Sequence, residues 1–376
     1  MTTIVVSGAL ANKPCNGGEA WVRMSWVEGL RRLGFDVWFV EQVSRDLLES
    51  TPLVTFFREV TSQFGLDGSC ALLDESGRGI AGHNSKDLEE VAAEAALLVN
   101  ISGHLSFKPL LDRFGRKAYV DLDPGFTQFW HAAATNGARL SDHDHYFTVG
   151  LNLGQPSCQV PTNGIDWRPL PPPVVLEEWP VCEGDPDILT TIASWRGSFG
   201  PIEYAGRTYG LKVHEFRKFL DLPGQVPQKL EVALDIHPAD HADLKILMER
   251  GWTIVNPRQA VPDPEAYRCY IQASGAEFSV AQGIYVETNS GWFSDRTVQY
   301  LASGKPALVQ DTGFSRLFPS GEGVVGFRTF DEAVAGARSI ASDYEFHSRA
   351  ARRLAEECFD SDKVLGRFLE AVDVAP

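Results

Sequence analysis

The chain is short of positive charge. Its 376 residues carry 34 Lys and Arg against 50 Asp and Glu, a formal net charge of −16. A nucleic-acid binder normally presents a basic face to phosphates, so this field opposes polyanions and anionic membranes. Long apolar runs are missing too. Nowhere do 18 apolar residues follow one another, and no basic segment precedes the apolar start Thr3-Ile4-Val5-Val6. Neither a membrane span nor a secretory leader is expected, and a cytoplasmic location follows. Cysteine is sparse and unpatterned. The six, at 15, 70, 158, 182, 269 and 358, form no CxxC pair and no metal-ligand spacing. Free thiols in a reducing compartment are expected, not a disulfide framework or a zinc site.

What is present is ordinary globular composition, 44% hydrophobic and 22% charged, over a length that suits two domains. Ile4 to Leu10 reads as a buried strand. After a polar loop, Val22, Trp26, Leu30 and Leu33 recur at helical spacing, Gly34 fits a helix end, and Asp36 to Val40 reads as the next strand. Such a strand–helix–strand unit implies a parallel sheet. Further strands are expected at Ala95–Asn100, Ala118–Asp121 and Tyr146–Val149. Arg168 to Pro186 then holds six prolines, which fix φ and cannot donate to a sheet, so the stretch reads as an extended linker. Beyond it the alternation restarts, with strands expected at Ile188–Ala193, Leu230–Asp235, Trp252–Val255, Ala276–Val280 and Ala307–Gln310. Helices fill the end from about Asp331. The expected architecture is α/β: two Rossmann-like, doubly wound parallel-sheet domains facing across a cleft. The divisions are 1–168, a linker over 169–186, a second domain over 187–358 and a terminal helix over 359–376 that can pack back on the first domain. Ligands in such folds sit at the carboxyl ends of the strands.

The segment from Ser290 to Val309 carries the most chemistry. Gly291 permits close backbone approach, and Ser294 or Asp295 can cap a short helix. Its N-terminal N–H groups and dipole suit a diphosphate. Arg296 and Thr297 add a charged and a neutral donor. A capped structural helix is the alternative. Here the sequence resembles the GT-B glycosyltransferases, whose second domain carries a glycine-containing loop, a helix and a small-x-Gly-x-Pro turn, in this chain Ala302-Ser303-Gly304-Lys305-Pro306. Gly291-Trp292-x-Ser294 is similar to the core of plant-type nucleotide-sugar signatures. The Arg-containing loop before Tyr300-Leu301-Ala302 is similar to the spore-coat-polysaccharide branch. Where retaining members of the family carry two Glu residues, this chain has Gly291 and Gln299. That departure tilts the expectation toward inversion, with Gln299 as a neutral ribose partner.

The resemblance implies a donor site in the second domain and an acceptor site in the first. Further donor candidates are Ser194, Trp195 and Arg196 after one strand, His237 after another and Asp311 after a third, with Lys212 and Arg217 as additional cations. For each, a packing or solvated role is the alternative. On the acceptor side, Gly17 and Gly18 form a glycine pair that is not GxGxxG, so that loop gives no support to a nicotinamide cofactor. The proton-accepting base can be His104, Asp123 or Glu19, with His131 beside the acceptor. Asp121-Leu122-Asp123 and Asp142-His143-Asp144-His145 match the Asp-x-Asp metal pattern, but no metal is expected, nor any cofactor beyond a nucleotide sugar as co-substrate. The expected activity is hexosyl transfer from a UDP- or dTDP-sugar to a hydroxyl of a small molecule, by a monomer or homodimer that binds neither nucleic acid nor membrane. A nucleotide-sugar epimerase of the same fold and a non-catalytic sugar- or nucleotide-binding protein are the rivals.

Overall fold

The computed structural model describes residues 1–48, 52–134 and 138–376. Its first sheet has eight strands: β1 Thr3–Ser7, β2 Asp36–Val43, β3 Cys70–Asp74, β4 Gly79–Gly82, β5 Leu97–Ile101, β6 Lys117–Asp121, β7 His145–Thr148 and β8 Trp167–Pro169. Their order is β4-β3-β2-β1-β5-β6-β7-β8, parallel except for β4. Central strands such as β5 are buried along their whole length, as expected of a sheet covered on both faces. Three strands of this sheet were not expected from sequence. β3 and β4 lie in the stretch between Val43 and Ala95, and β8 pairs with β7 inside the Pro-rich region.

A second, six-stranded parallel sheet follows, from β9 Asp185–Ser194, β12 Lys229–Asp235, β13 Thr253–Val255, β14 Ser274–Ser279, β15 Ala307–Gln310 and β16 Val324–Phe327. Its order is β13-β12-β9-β14-β15-β16. Between β9 and β12 a small hairpin, β10 Ile202–Tyr204 and β11 Arg207–Tyr209, projects toward the first domain. There Phe129 stacks on Tyr209 at 5.0 Å and Phe199 meets Trp130 at 4.7 Å.

The chain closes by crossing back. Helix Ser361–Ala371 buries Val364, Leu365 and Phe368 in the core under the first sheet, with Phe368 edge-on to Trp26 at 5.1 Å. Each such side chain contributes about 1.5–3 kcal/mol on full burial. The linker runs beside this crossing, where Val174 N–H donates to Phe359 O at 2.8 Å and Ser361 N–H to Val174 O at 2.8 Å.

Two close backbone approaches fix the domains against each other. Helix Gly17–Arg32, capped by Asn16, meets helix Pro264–Ala273 of the second domain. Gly17 N–H donates to Val261 O at 3.1 Å, and a Cβ on Gly17 would lie 2.1 Å from Asp263 O. Trp21 Nε1 donates across the same contact to Pro264 O at 2.8 Å. Elsewhere Gly150 and Trp292 form an antiparallel bridge, and Asn152 N–H donates to Ser290 O at 3.0 Å. The pair Gly17-Gly18, expected to approach a ligand, therefore approaches the other domain instead, and Gly18 faces the Tyr267 ring.

Replacing Gly17 with Ala should force the two helices apart and destabilise the protein by about 1–3 kcal/mol. A chemical-denaturation midpoint measured on both proteins checks this. An unchanged or higher midpoint in the variant would contradict the packing role.

Candidate active site

Both sheets reverse strand order at a switch point, between β1 and β5 in the first and between β9 and β14 in the second. Loops leaving the carboxyl ends of those strands diverge and open a crevice. The two crevices face each other, since Tyr285 of the second domain donates a hydrogen bond to Asp123 Oδ1 of the first at 3.0 Å.

On the second-domain side the charge is set by Lys212, Arg296 and Glu277. Arg296 points inward. Its Nε donates to Glu277 Oε1 at 2.7 Å, one terminal nitrogen to Ile192 O at 2.6 Å and the other to Ser279 Oγ at 2.8 Å. Each of the three nitrogens thus donates once to β9 or β14, which uses three of the five guanidinium N–H groups. Lys212 opens helix Lys212–Phe216 and is 9% exposed. Its Nζ has no ion pair or hydrogen bond among the described residues. Burial, with repulsion from Arg296, pushes its pKa down to about 7, partly offset by Glu277. The structure places Lys212 mostly buried, beside Arg296 and Glu277, and not on a solvated helix face.

Helix Asp295–Ala302 begins beside these groups. Ser294 occupies the cap position but makes no side-chain cap bond. Thr297 is fully buried with an unpartnered Oγ1. Asp295 faces the cleft, and burial, with repulsion from Glu19, raises its pKa to about 6. Three expectations in this segment meet a different arrangement. Gly291, at φ +74°, abuts the other domain, where a Cβ would lie 2.7 Å from Asn152 N. Gln299 is buried and its Oε1 accepts from the Tyr267 hydroxyl at 2.9 Å. Trp292 stacks on Tyr285 at 4.7 Å.

Other expected donor residues disperse. Ser194 ends β9 half-buried, in register with Asp235. Trp195 is 1% exposed and donates to Asp243 at 2.9 Å, so it is a core residue and offers no stacking face. Arg196 is exposed and holds Asp240 through two nitrogens, at 2.8 and 2.5 Å. Arg217 does the same with Asp243, at 3.1 and 2.7 Å. His237 is exposed and accepts from Ala239 N–H at 3.1 Å. Asp311 is buried in a turn, paired with Arg328 at 2.7 Å and bonded to Gly313 and Ser315.

Across the cleft, helix Gly17–Arg32 presents Glu19 and Arg23, which form an ion pair. His104 follows β5 and Asp123 follows β6. Burial and the charges of Arg23, Arg139 and Lys13 push His104 down to about 3, so it is neutral and a weak base at neutral pH. Burial, then repulsion from Asp121, raises Asp123 to about 6. That value lies closest to the working range of a general base. Asp121 itself is tied down by Thr127, Gln128 and Thr148, at 2.7, 2.8 and 2.7 Å. His131 is exposed at the end of helix Phe126–Ala132. In the second Asp-x-Asp run, Asp142 pairs with Lys108 and Asp144 accepts from the Lys117 N–H. Among the described residues no group of three or more His, Cys, Asp or Glu is placed to hold a metal ion.

Four of the residues shaping this site carry no sequence signal of their own. Glu277 and Glu41 sit inside apolar strands, where a lone carboxylate is the only hint. Glu41 is fully buried, accepts from Ala11 and Asn12 N–H at 2.6 and 3.0 Å, and is raised by burial to about 7. Tyr285 and Arg23 lie on helix faces that read as packing or solvent. Gly321-x-Gly323-x-x-Gly326 has the spacing of a dinucleotide fingerprint, but it runs into β16 and does not follow a strand into a helix, so the fingerprint's context is absent.

Asp123, Asp295 and Glu41 all bind protons more tightly folded than unfolded. Stability should therefore fall as pH rises from the ordinary carboxylate range through about 6 to 7. Asp295→Asn removes one buried charge and loses a helix-dipole contact of about 0.3–1 kcal/mol, the smaller effect. It should raise the melting temperature at pH 8 by about 2 °C or more and leave it unchanged near pH 4. An equal gap at both pH values, or a loss at pH 8, would contradict the assignment.

No family model and no curated protein matches the chain. Solved structures do. An alpha-glucosyltransferase in complex with UDP and a 13-mer DNA containing a HMU base superposes with a TM-score of 0.64 at 10% identity, covering 99% of each chain. HepE of Anabaena in complex with UDP-glucose gives 0.61 at 11% identity, over 99% of this chain and 100% of that one. AviGT4, a glycosyltransferase involved in avilamycin A biosynthesis, gives 0.57 at 12% identity, over 99% and 97%. At such identities the likeness is one of fold, and it runs through both domains and the terminal crossing. The chain has the GT-B fold, two Rossmann-like domains facing across a cleft.

Proposed function

We propose that the protein transfers a sugar from a nucleoside diphosphate sugar, of the UDP or dTDP type, to a hydroxyl of a small-molecule acceptor. The observation that carries this reading is Lys212. Lys212 is mostly buried at the carboxyl end of the six-stranded sheet, beside Arg296 and Glu277, and its Nζ makes no hydrogen bond or ion pair among the described residues. Burying an uncompensated charge is costly, and a diphosphate would complete it. Arg296 adds positive field, and the start of helix Asp295–Ala302 adds oriented N–H groups. The motif from Arg296 to Pro306 further supports placement in the spore-coat-polysaccharide branch.

In the reaction, the acceptor oxygen forms a bond to the anomeric carbon as the bond from that carbon to the phosphate oxygen breaks. The electron pair leaves with the diphosphate, and Lys212 and the helix start stabilise the developing charge. Asp123 takes the acceptor proton, with Glu19 engaged by Arg23 and His104 too weak a base. Gly291 and Gln299, in place of a carboxylate pair, fit inversion at the anomeric carbon. The alpha-glucosyltransferase structure holds DNA, but a net charge of −16 opposes a polyanionic acceptor here, which favours a small one. An epimerase would turn over the donor without any acceptor.

Calorimetric titration with UDP tests the donor side. Lys212→Ala should weaken binding at least about tenfold, the range of a charge pair lost from a buried site, and EDTA should leave wild-type affinity unchanged. Equal affinity in the variant would sink the donor assignment. On the other domain, Asp123→Asn should leave UDP affinity within about twofold and lower turnover of the nucleotide sugar by about 10²–10⁴. Release of UDP and free sugar, read by coupled assay, reports it.

A further inference from the structure

Asp121 and Asp123 lie two residues apart and are held in opposite ways. Asp121 accepts from Thr127, Gln128 and Thr148 side chains and from the Asp123 N–H, all within its own domain. The Asp123 carboxylate accepts one hydrogen bond from the described residues, and it comes from the other domain, from the Tyr285 hydroxyl at 3.0 Å. Its Oδ2 makes no hydrogen bond among the described residues.

Tyr285 is built to deliver that bond. It lies on helix Gly283–Glu287 and is 4% exposed. Its ring is stacked on Trp292 at 4.7 Å with planes 29° apart, and Phe126 of the first domain meets it edge-on at 6.1 Å. Its carbonyl is held by Ser290 N–H and Ser290 Oγ, at 3.2 and 3.3 Å. The hydroxyl therefore has one direction available.

We infer that Tyr285 is a positioning residue that orients the Asp123 carboxylate from the opposite domain, so that acceptor activation is available only while the domains are together. The inference rests on the reading of Asp123 as the acceptor base. Separation of the domains removes the one donor to the Asp123 carboxylate among the described residues and frees the carboxylate to rotate. Premature proton transfer, and hydrolysis of an unprotected donor, are disfavoured until the cleft is closed.

The bond has a pH signature. The groups facing Asp123 are Asp121 and Tyr119 on β6, Glu19 and Arg23 on helix Gly17–Arg32, and Tyr285. Asp295 faces the same Glu19 and Tyr285. Asp121 and Glu19 raise Asp123, while Arg23 and the Tyr285 hydroxyl lower it. Removing the hydroxyl alone takes away a donor to the charged form, so the midpoint must move up.

The test is a titration of protein labelled with ¹³C at the aspartate carboxyls, with the Asp123 signal assigned by its loss in Asp123→Asn. In Tyr285→Phe, which keeps the ring and its stack, the Asp123 midpoint should rise by about half to one pH unit. The acid limb of UDP-glucose hydrolysis should move with it, and kcat should fall more than KM changes. Trp292→Phe disturbs the same stack but keeps the hydroxyl, and should leave the midpoint in place. An unmoved midpoint in Tyr285→Phe, or an equal rise in Trp292→Phe, overturns the positioning role whatever the activity. Wild-type turnover in Asp123→Asn instead overturns the base reading, and with it the catalytic consequence of the bond.

Discussion

Everything in the cleft depends on two sheets being held with their carboxyl ends face to face, and that rests on backbone meeting backbone without side chains between. At Gly17 a helix start lies against the Asp263 carbonyl. At Gly291 a loop of the second domain lies against Asn152 of the first. A methyl group at either place would require the domains to part. The cleft so enclosed is a poor solvent for charge, which is why Asp123 and Asp295 rise to about 6 and Lys212 falls to about 7.

The enclosure also sorts the charges by job. Arg296 and Glu277 pair in a buried contact and build the floor of the second-domain crevice. Breaking such a pair leaves an uncompensated buried ion, so Arg296 is committed to structure even though it adds positive field. Lys212 is the cation left over. On the facing domain, Glu19 is paired with Arg23 and Asp121 is saturated by its neighbours, which leaves Asp123 as the carboxylate with room for a ligand. Donor and acceptor chemistry thus fall on opposite sides, each defined by the group its neighbours do not satisfy.

Much of this architecture was legible from sequence because period and punctuation are local. The strands β1, β9, β12, β14 and β15 show as apolar runs, and the six prolines mark the crossing between sheets. The short strands β4 and β8 were not legible, since Gly79-Ile80-Ala81-Gly82 is bounded by glycines and Trp167-Arg168-Pro169 contains a charge and a proline, and neither forms an apolar run. The site was read less well. Arg196 and Gln299 stand where a donor contact is expected, yet Asp240 and Tyr267, far off in sequence, claim their side chains. Gly17, Gly18 and Gly291 do signal close approach, but sequence cannot say to what, and the answer is the other domain. Lys212 acquires its role only through burial beside Glu277 and Arg296, and Tyr285 only through Asp123, 162 residues away.

The central claim is that a nucleoside diphosphate sits on the second domain against Lys212, across from Asp123. A crystal structure with UDP bound tests it most directly. The account predicts the diphosphate within hydrogen-bond reach of Lys212 Nζ and the start of helix Asp295–Ala302, with Arg296 still bonded to Glu277. UDP seated on the first domain, or a diphosphate held by Arg196 with Lys212 left bare, would contradict it.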